Sequence, residues 1–327
     1  MGVGAVALGL AGGLALVLFS YLIEAARPRP KPPETLSWSP HIPISYVSVG
    51  KSRVRYVRVG SGPNLVLLHT LRTQLDIFQK VIPSLAERFT VYAWDFPGHG
   101  WSDIPRSDFA PEDFYRWTAA FLDALQIDQA CLAGVSIGGT TSLVLAARGN
   151  PRITRVIAIN PYDYWPTGGI RSSSLMARLI LGPAGVPVLG STLMRLRNTF
   201  VSDRIMDGGV ATPDSLPSDL RRELYAVGNR PGHYPGFLNL LAHEREWPRA
   251  RSEYSAVRVP TLLIYGEQDW APHSAREVER ALLPHADMIT VAHGGHFLPL
   301  DRPVELTQLM IEFLDHAPAR ADSGATI

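Results

Sequence analysis

Short apolar runs alternate with helical patterns through most of the chain, and this alternation restricts the fold more than any other feature. Asn64–His69, Thr90–Asp95, Ala130–Val135, Arg155–Asn160, Pro260–Tyr265 and Met288–Ala292 are brief, nearly continuous apolar segments. Such runs suit strands covered on both faces. Gln74–Arg88 places Leu75, Phe78, Ile82 and Leu85 on one helical face, and Pro111–Leu125 does the same with Phe114, Trp117, Phe121 and Leu125. Ile137–Arg148, Ser274–Leu283 and Pro303–Leu314 carry further helical patterns. Ile44–Val49 and Arg53–Val59 alternate apolar with polar and read as an antiparallel pair. The expected class is α/β, with a mostly parallel sheet and helices on both faces.

Two segments depart from this alternation. Between Tyr162 and about Trp247 no strand pattern appears. Helical patches at Ser172–Leu181, Leu189–Phe200 and Leu220–Val227 are separated by Gly and Pro. Their apolar content predicts a helical insert at about 164–247 that acts as a lid. The other segment is Gly2–Ile23, 22 positions without a charge. As a helix it would span roughly 33 Å, enough for a hydrocarbon core. It lacks the basic opening of a secretory signal, so a retained single-span anchor over 2–23 is the expectation and a cleaved signal the alternative. Arg27, Arg29 and Lys31 follow it and no basic residue precedes it, which places the body in the cytosol. A periplasmic or extracellular body is the alternative. Residues 24–43 are rich in proline and read as an extended tether. The body covers about 44–316, and 317–327 reads as a disordered tail.

Charge narrows the function. Lys plus Arg number 31 and Asp plus Glu 30, for a net charge of +1. A dedicated nucleic-acid binder would be markedly basic. The single cysteine, Cys131, cannot form an internal disulfide or build a cysteine-based metal site.

The chemistry concentrates at strand ends. Ala130–Val135 runs straight into Gly134-Val135-Ser136-Ile137-Gly138-Gly139 and then a helical pattern. Strand, sharp turn and helix is the context of a G-x-S-x-G nucleophile elbow. The turn strains the serine backbone, and the glycines allow strand and helix to approach closely. A serine needs a base held by a carboxylate. His296 follows the last strand in Gly294-Gly295-His296-Phe297, whereas His293 reads as a solvated loop residue. Asp269 follows Pro260–Tyr265 and is the expected acid. Asp163, after Arg155–Asn160, is the rival acid, and Glu267 reads as solvated.

Four segments carry a family resemblance: Leu67-Leu68-His69, Asp95-Phe96-Pro97-Gly98-His99-Gly100-Trp101-Ser102, the elbow at Ser136, and Gly295-His296-Phe297 with Asp301-Arg302-Pro303. With the order Ser, Asp, His, the body resembles the α/β-hydrolase superfamily, in the branch with a helical cap between the sixth and seventh strands. Epoxide hydrolases and haloalkane dehalogenases of this layout place Asp at the nucleophile. Ser136 points instead to esterases, lipases, carbon–carbon bond hydrolases and cofactor-free perhydrolases. The resemblance implies an oxyanion hole from the backbone N–H groups of Ile137 and Leu71, and structural roles for Asp95, His99 and Ser102. It implies no metal or organic cofactor. One departure stands out: His69-Thr70-Leu71-Arg72 replaces the usual His-Gly, and Thr70 restricts the backbone beside the second donor. Arg72 adds a cation that either contacts an acidic substrate group or forms a salt bridge. The expected activity is a membrane-anchored serine hydrolase acting on esters with an apolar acyl chain, lipid-derived esters included. A carbon–carbon hydrolase, an acyltransferase and a non-catalytic binding protein are the alternatives.

Overall fold

The computed structural model describes residues 2–164 and 169–316, with side chains of the first helix described at Leu8 and from Leu10 onward. Residues 165–168 of the expected insert and the tail 317–327 lie outside the described residues.

Eight strands form one sheet: β1 (Ser45–Val49), β2 (Ser52–Val59), β3 (Asn64–Leu68), β4 (Thr90–Trp94), β5 (Ala130–Val135), β6 (Ile153–Ile159), β7 (Thr261–Gly266) and β8 (Asp287–Val291). Their order is β1-β2-β4-β3-β5-β6-β7-β8. β1 and β2 pair antiparallel, β2 runs antiparallel to β4, and the remaining neighbours are parallel. β4, β5 and β7 are buried along their whole length, which is why they read as continuous apolar runs. β8 is an edge strand and is half-exposed.

Alternation of side chains across the sheet divides the core. Val66 and Leu68 of β3 face one apolar cluster, while Leu65 and Leu67 face the other. Each such side chain contributes about 2 kcal/mol by leaving water. The first cluster is covered by α3 (Pro111–Ala124) and α4 (Ile137–Ala147), with Phe121 stacked on Trp94 at 4.3 Å. The second is covered by α2 (Ile82–Ala86) and α12 (Pro303–Asp315), through residues such as Ile82, Leu306 and Met310.

Between β6 and β7 the described residues contain helices and no strand: α5 (Leu175–Leu181), α6 (Leu189–Arg195), α7 (Thr199–Asp207), α8 (Ser218–Gly228) and α9 (His233–Ala242). After β7 come α10 (His273–Leu282) and the short α11 (Leu298–Asp301).

Two expected helices are broken. Gln74–Arg88 becomes a 3₁₀ turn at Leu75–Phe78 followed by α2. Pro83 lacks an N–H and restarts the helix at its first turn. Leu189–Phe200 splits at Asn198, whose side chain accepts from the N–H of Val201 and caps α7.

The N-terminal helix α1 runs from Gly2 to Ala25. Among the described residues, no helix is long and apolar enough to cross a membrane, so the span expected over 2–23 is not found there. Its last turns dock on the insert. Arg195 donates to the Ser20 hydroxyl at 2.9 Å and lies over the Tyr21 ring. Glu24 pairs with Arg197 at 2.7 Å, and Arg27 donates to the carbonyls of Arg195 and Arg197. The proline-rich stretch does not hang free either. Leu36 and Ile42 are buried, and the Trp38 indole donates to Asp76 at 2.7 Å.

Candidate active site

The elbow has the strain its sequence implies. Ser136 sits between β5 and α4 at φ 58° and ψ −119°, outside the regions that side-chain-bearing residues normally occupy. The two flanking glycines are steric necessities. A Cβ on Gly134 would lie 2.1 Å from the carbonyl carbon of Gly138, and one on Gly138 would lie 2.3 Å from the Leu68 carbonyl oxygen. Both obstacles are backbone and cannot yield. Ser136 is fully buried, and its Oγ has no hydrogen-bond partner. Ile137 opens α4, so its N–H is one of the helix's initial donors without an intrahelical acceptor.

His296 and Asp269 meet as the sequence predicts. The loops after β7 and β8 bring His296 Nδ1 within 2.5 Å of Asp269 Oδ1, and both side chains are buried. Asp269 Oδ2 accepts the Ala271 N–H at 2.9 Å. With Nδ1 donating to the carboxylate, Nε2 is the imidazole acceptor, and it has no other partner in the structure. Trp270 stacks on the imidazole at 3.7 Å and fixes its plane. Ser136 Oγ and His296 Nε2 are not in hydrogen-bond contact with each other, and catalytic hydrogen bonds of this kind tighten in the Michaelis complex.

The rivals lie elsewhere. Asp163 is buried against Arg251 at 2.8 Å rather than against His296. Burial pushes its carboxyl up, against the opposing pull of Arg251. Glu267 and His293 are exposed, and Glu267 accepts the His293 N–H.

The segment after β3 is rigid. His69 Nε2 accepts the Phe96 N–H at 2.9 Å, so Nδ1 carries the proton and donates to the Thr70 carbonyl at 2.7 Å. Burial pulls His69 and His99 down to about 3, and both are neutral. Asp95 is structural. It accepts from Arg55, from the Leu75 N–H and from the Trp101 N–H. Ser102 joins this network, accepting the Arg55 N–H and donating to the Asp95 carbonyl. Thr70 is accommodated because the left-handed backbone falls on Arg72, at φ 62°. Leu71 is buried between them.

Sequence reasoning gave Asn160 no role, yet it ties the triad loops together. From the end of β6 its side-chain N–H groups donate to the carbonyls of Gly295 and His296, both at 3.0 Å. Its Oδ1 accepts the Gly266 N–H at 2.8 Å, at the root of the Asp269 loop. No local sequence pattern marks it, and its left-handed backbone, at φ 46°, emerges only in the structure. In Asn160→Asp a carboxylate would face two carbonyl oxygens. We expect kcat to fall by about 10- to 100-fold with KM little changed, because the histidine loop is displaced while the pocket is untouched. Steady-state kinetics check this, and an unchanged kcat refutes the positioning role.

The insert closes on the same end of the sheet. The Phe297 N–H donates to the Gly209 carbonyl, the Trp270 indole donates to Gly208, and Asp301 accepts from both Ala211 and Gly295. Among the described residues, no group of three or more His, Cys, Asp or Glu could hold a metal ion.

A strained buried serine at a strand–helix turn and a buried histidine–carboxylate pair past two later strands make up the candidate site. The chain belongs to the α/β-hydrolase fold family, whose model matches residues 63–303, and it is a hydrolase. It is similar to 2-(acetamidomethylene)succinate hydrolase of Mesorhizobium japonicum, at 29% identity over 85% of this chain and 97% of the relative. It is also similar to carboxylesterase YbfK of Bacillus subtilis, at 25% identity over 82% and 86%. Among solved structures, a bacterial membrane phospholipase A superposes with a TM-score of 0.70 at 24% identity, over 95% of this chain and 94% of that one.

Proposed function

We propose that this protein is a serine hydrolase that cleaves carboxylic esters through an acyl-enzyme, held at a membrane by α1. The observation that carries the reading is the buried His296–Asp269 pair beside a strained Ser136. His296 Nε2 takes the Ser136 proton as Oγ attacks the ester carbonyl carbon. The N–H groups of Ile137 and Leu71 receive the oxyanion. The tetrahedral intermediate collapses, the alkoxide leaves with the proton from His296, and an acyl-serine remains. Water then loses a proton to His296, attacks the acyl carbon and releases the acid, and the proton returns to Ser136. The likeness to a carboxylesterase supports the ester assignment. The helical insert, resting on the His296 loop, acts as the cap over the substrate. Its apolar side chains favour an apolar acyl group.

Membrane attachment is supported by the surface of α1. Leu10, Leu14, Leu18 and Leu22 are 72, 61, 57 and 68% exposed, an apolar stripe that water does not tolerate at this size. Arg29 and Lys31 are exposed just beyond it, cations placed to meet anionic lipid headgroups.

A panel of 4-nitrophenyl esters from acetate to dodecanoate tests the activity on the full chain in detergent. Turnover with a medium-chain optimum and stoichiometric free acid is expected. Absence of turnover across the panel refutes it. Free-acid yield that drops when an alcohol is added would favour the acyltransferase reading instead. Alkaline carbonate extraction tests the anchor: the full chain should stay with the membrane pellet, and release into the supernatant overturns attachment.

A further inference from the structure

A charged group in the apolar pocket is left without a partner. The pocket lies between the insert and the body, where Ile180 and Leu181 of α5, Met194 of α6, and Ile205 and Met206 of α7 surround Arg72. Arg72 is anchored one residue beyond Leu71, the expected oxyanion donor, and sends its side chain into this pocket. Its guanidinium is largely buried. The Nη1 is fully buried and has no hydrogen-bond partner, and the group rests on the face of Phe237 at 4.9 Å. Among the described residues it forms no ion pair.

The surroundings add no negative charge. Arg197 also lines the pocket, and its own charge is matched by Glu24 of α1. His233, near Arg72, is held neutral by burial and by adjacent cations. Burial and Arg197 pull Arg72 down to about 10, which still leaves it charged at neutral pH. An unpaired buried cation is unfavourable unless an anion answers it. A carboxylate or phosphate does so best, because the planar guanidinium offers it two parallel donors.

We propose that Arg72 is the receptor for an anionic group, a carboxylate or phosphate, on an amphiphilic ligand. The inference rests on the ester reading only in calling that ligand a substrate.

The test therefore measures binding rather than turnover. Octanoate, octyl phosphate and neutral 1-octanol are titrated calorimetrically into the full chain carrying Ser136→Ala, in a neutral detergent. At least one of the two anions should bind about tenfold or more tightly than 1-octanol, the increment of one charged hydrogen bond. Comparing octanoate with octyl phosphate shows which anion is preferred. Adding Arg72→Gln should bring the ratio close to one, while Arg72→Lys should keep part of it. Equal binding of anions and octanol by Ser136→Ala overturns the proposal without any Arg72 variant. A preference that survives Arg72→Gln also overturns it, since the anion would then sit on other donors such as the Ile137 and Leu71 N–H groups. If Arg72→Gln does not fold, Arg72→Lys decides: a ratio identical to that of its parent refutes the role of the guanidinium, and a reduced or lost ratio supports it. Ester turnover is read separately on the unmodified serine, so either claim can fail alone.

Discussion

Ser136→Ala should lower kcat on 4-nitrophenyl esters by about 10⁴- to 10⁶-fold, the scale set by removing the nucleophile from a serine triad. The fold should survive. The Ser136 hydroxyl makes no hydrogen bond, so its removal leaves no donor or acceptor stranded. The strained backbone is held by other groups: Ser136 N–H donates to Ile159 at 2.8 Å, and its carbonyl accepts the Thr140 N–H at 3.0 Å. Alanine takes the same conformation at similar cost, and the melting temperature should move by no more than a few degrees. A fluorophosphonate should label the parent and leave the variant unmarked. Retained turnover by the variant, or labelling at another residue, would remove the serine from the mechanism.

The sheet and the candidate site were legible because each is written locally. β4, β5 and β7 are buried on both faces, so their sequences are apolar without interruption. The elbow needs small residues at two fixed positions; Gly134 meets Gly138 within the turn itself, while Gly138 meets the Leu68 carbonyl at the end of β3. His296 and Asp269 could be found because each stands just past a strand, on the edge where a parallel sheet gathers its functional groups. What escaped depends on contacts remote in sequence. Asn160 acts through carbonyls about 135 residues away, and no pattern around it announces that partnership. The broken helix at Leu75–Phe78 follows from Asp95, which accepts the Leu75 N–H and holds that turn to the β4 loop. Arg72 had two readings from sequence, an ion pair or a ligand contact. Only its surroundings, apolar side chains and another cation, separate them.

Asp269→Asn is the sharper test of the acid, because geometry dictates which way the new amide turns. Asp269 now accepts twice, from His296 Nδ1 at 2.5 Å and from the Ala271 N–H at 2.9 Å. An amide has one acceptor and one donor end. With its oxygen toward His296, its NH₂ would face the Ala271 N–H, donor against donor. With its oxygen toward Ala271, its NH₂ donates to His296 Nδ1, and every group is satisfied. The second arrangement therefore prevails, and it moves the imidazole proton to Nε2. That nitrogen can then no longer accept the Ser136 proton. The expected loss is about 10⁴-fold in kcat, the magnitude seen when a triad histidine is held in the wrong tautomer, with KM and the melting temperature nearly unchanged. Asp163→Asn makes the contrast. It disturbs the buried pair with Arg251 and should cost stability, while kcat stays within about threefold, since Asp163 touches neither His296 nor its loop. The reverse result, an active Asp269→Asn beside a dead but folded Asp163→Asn, would transfer the role to the strand end after β6.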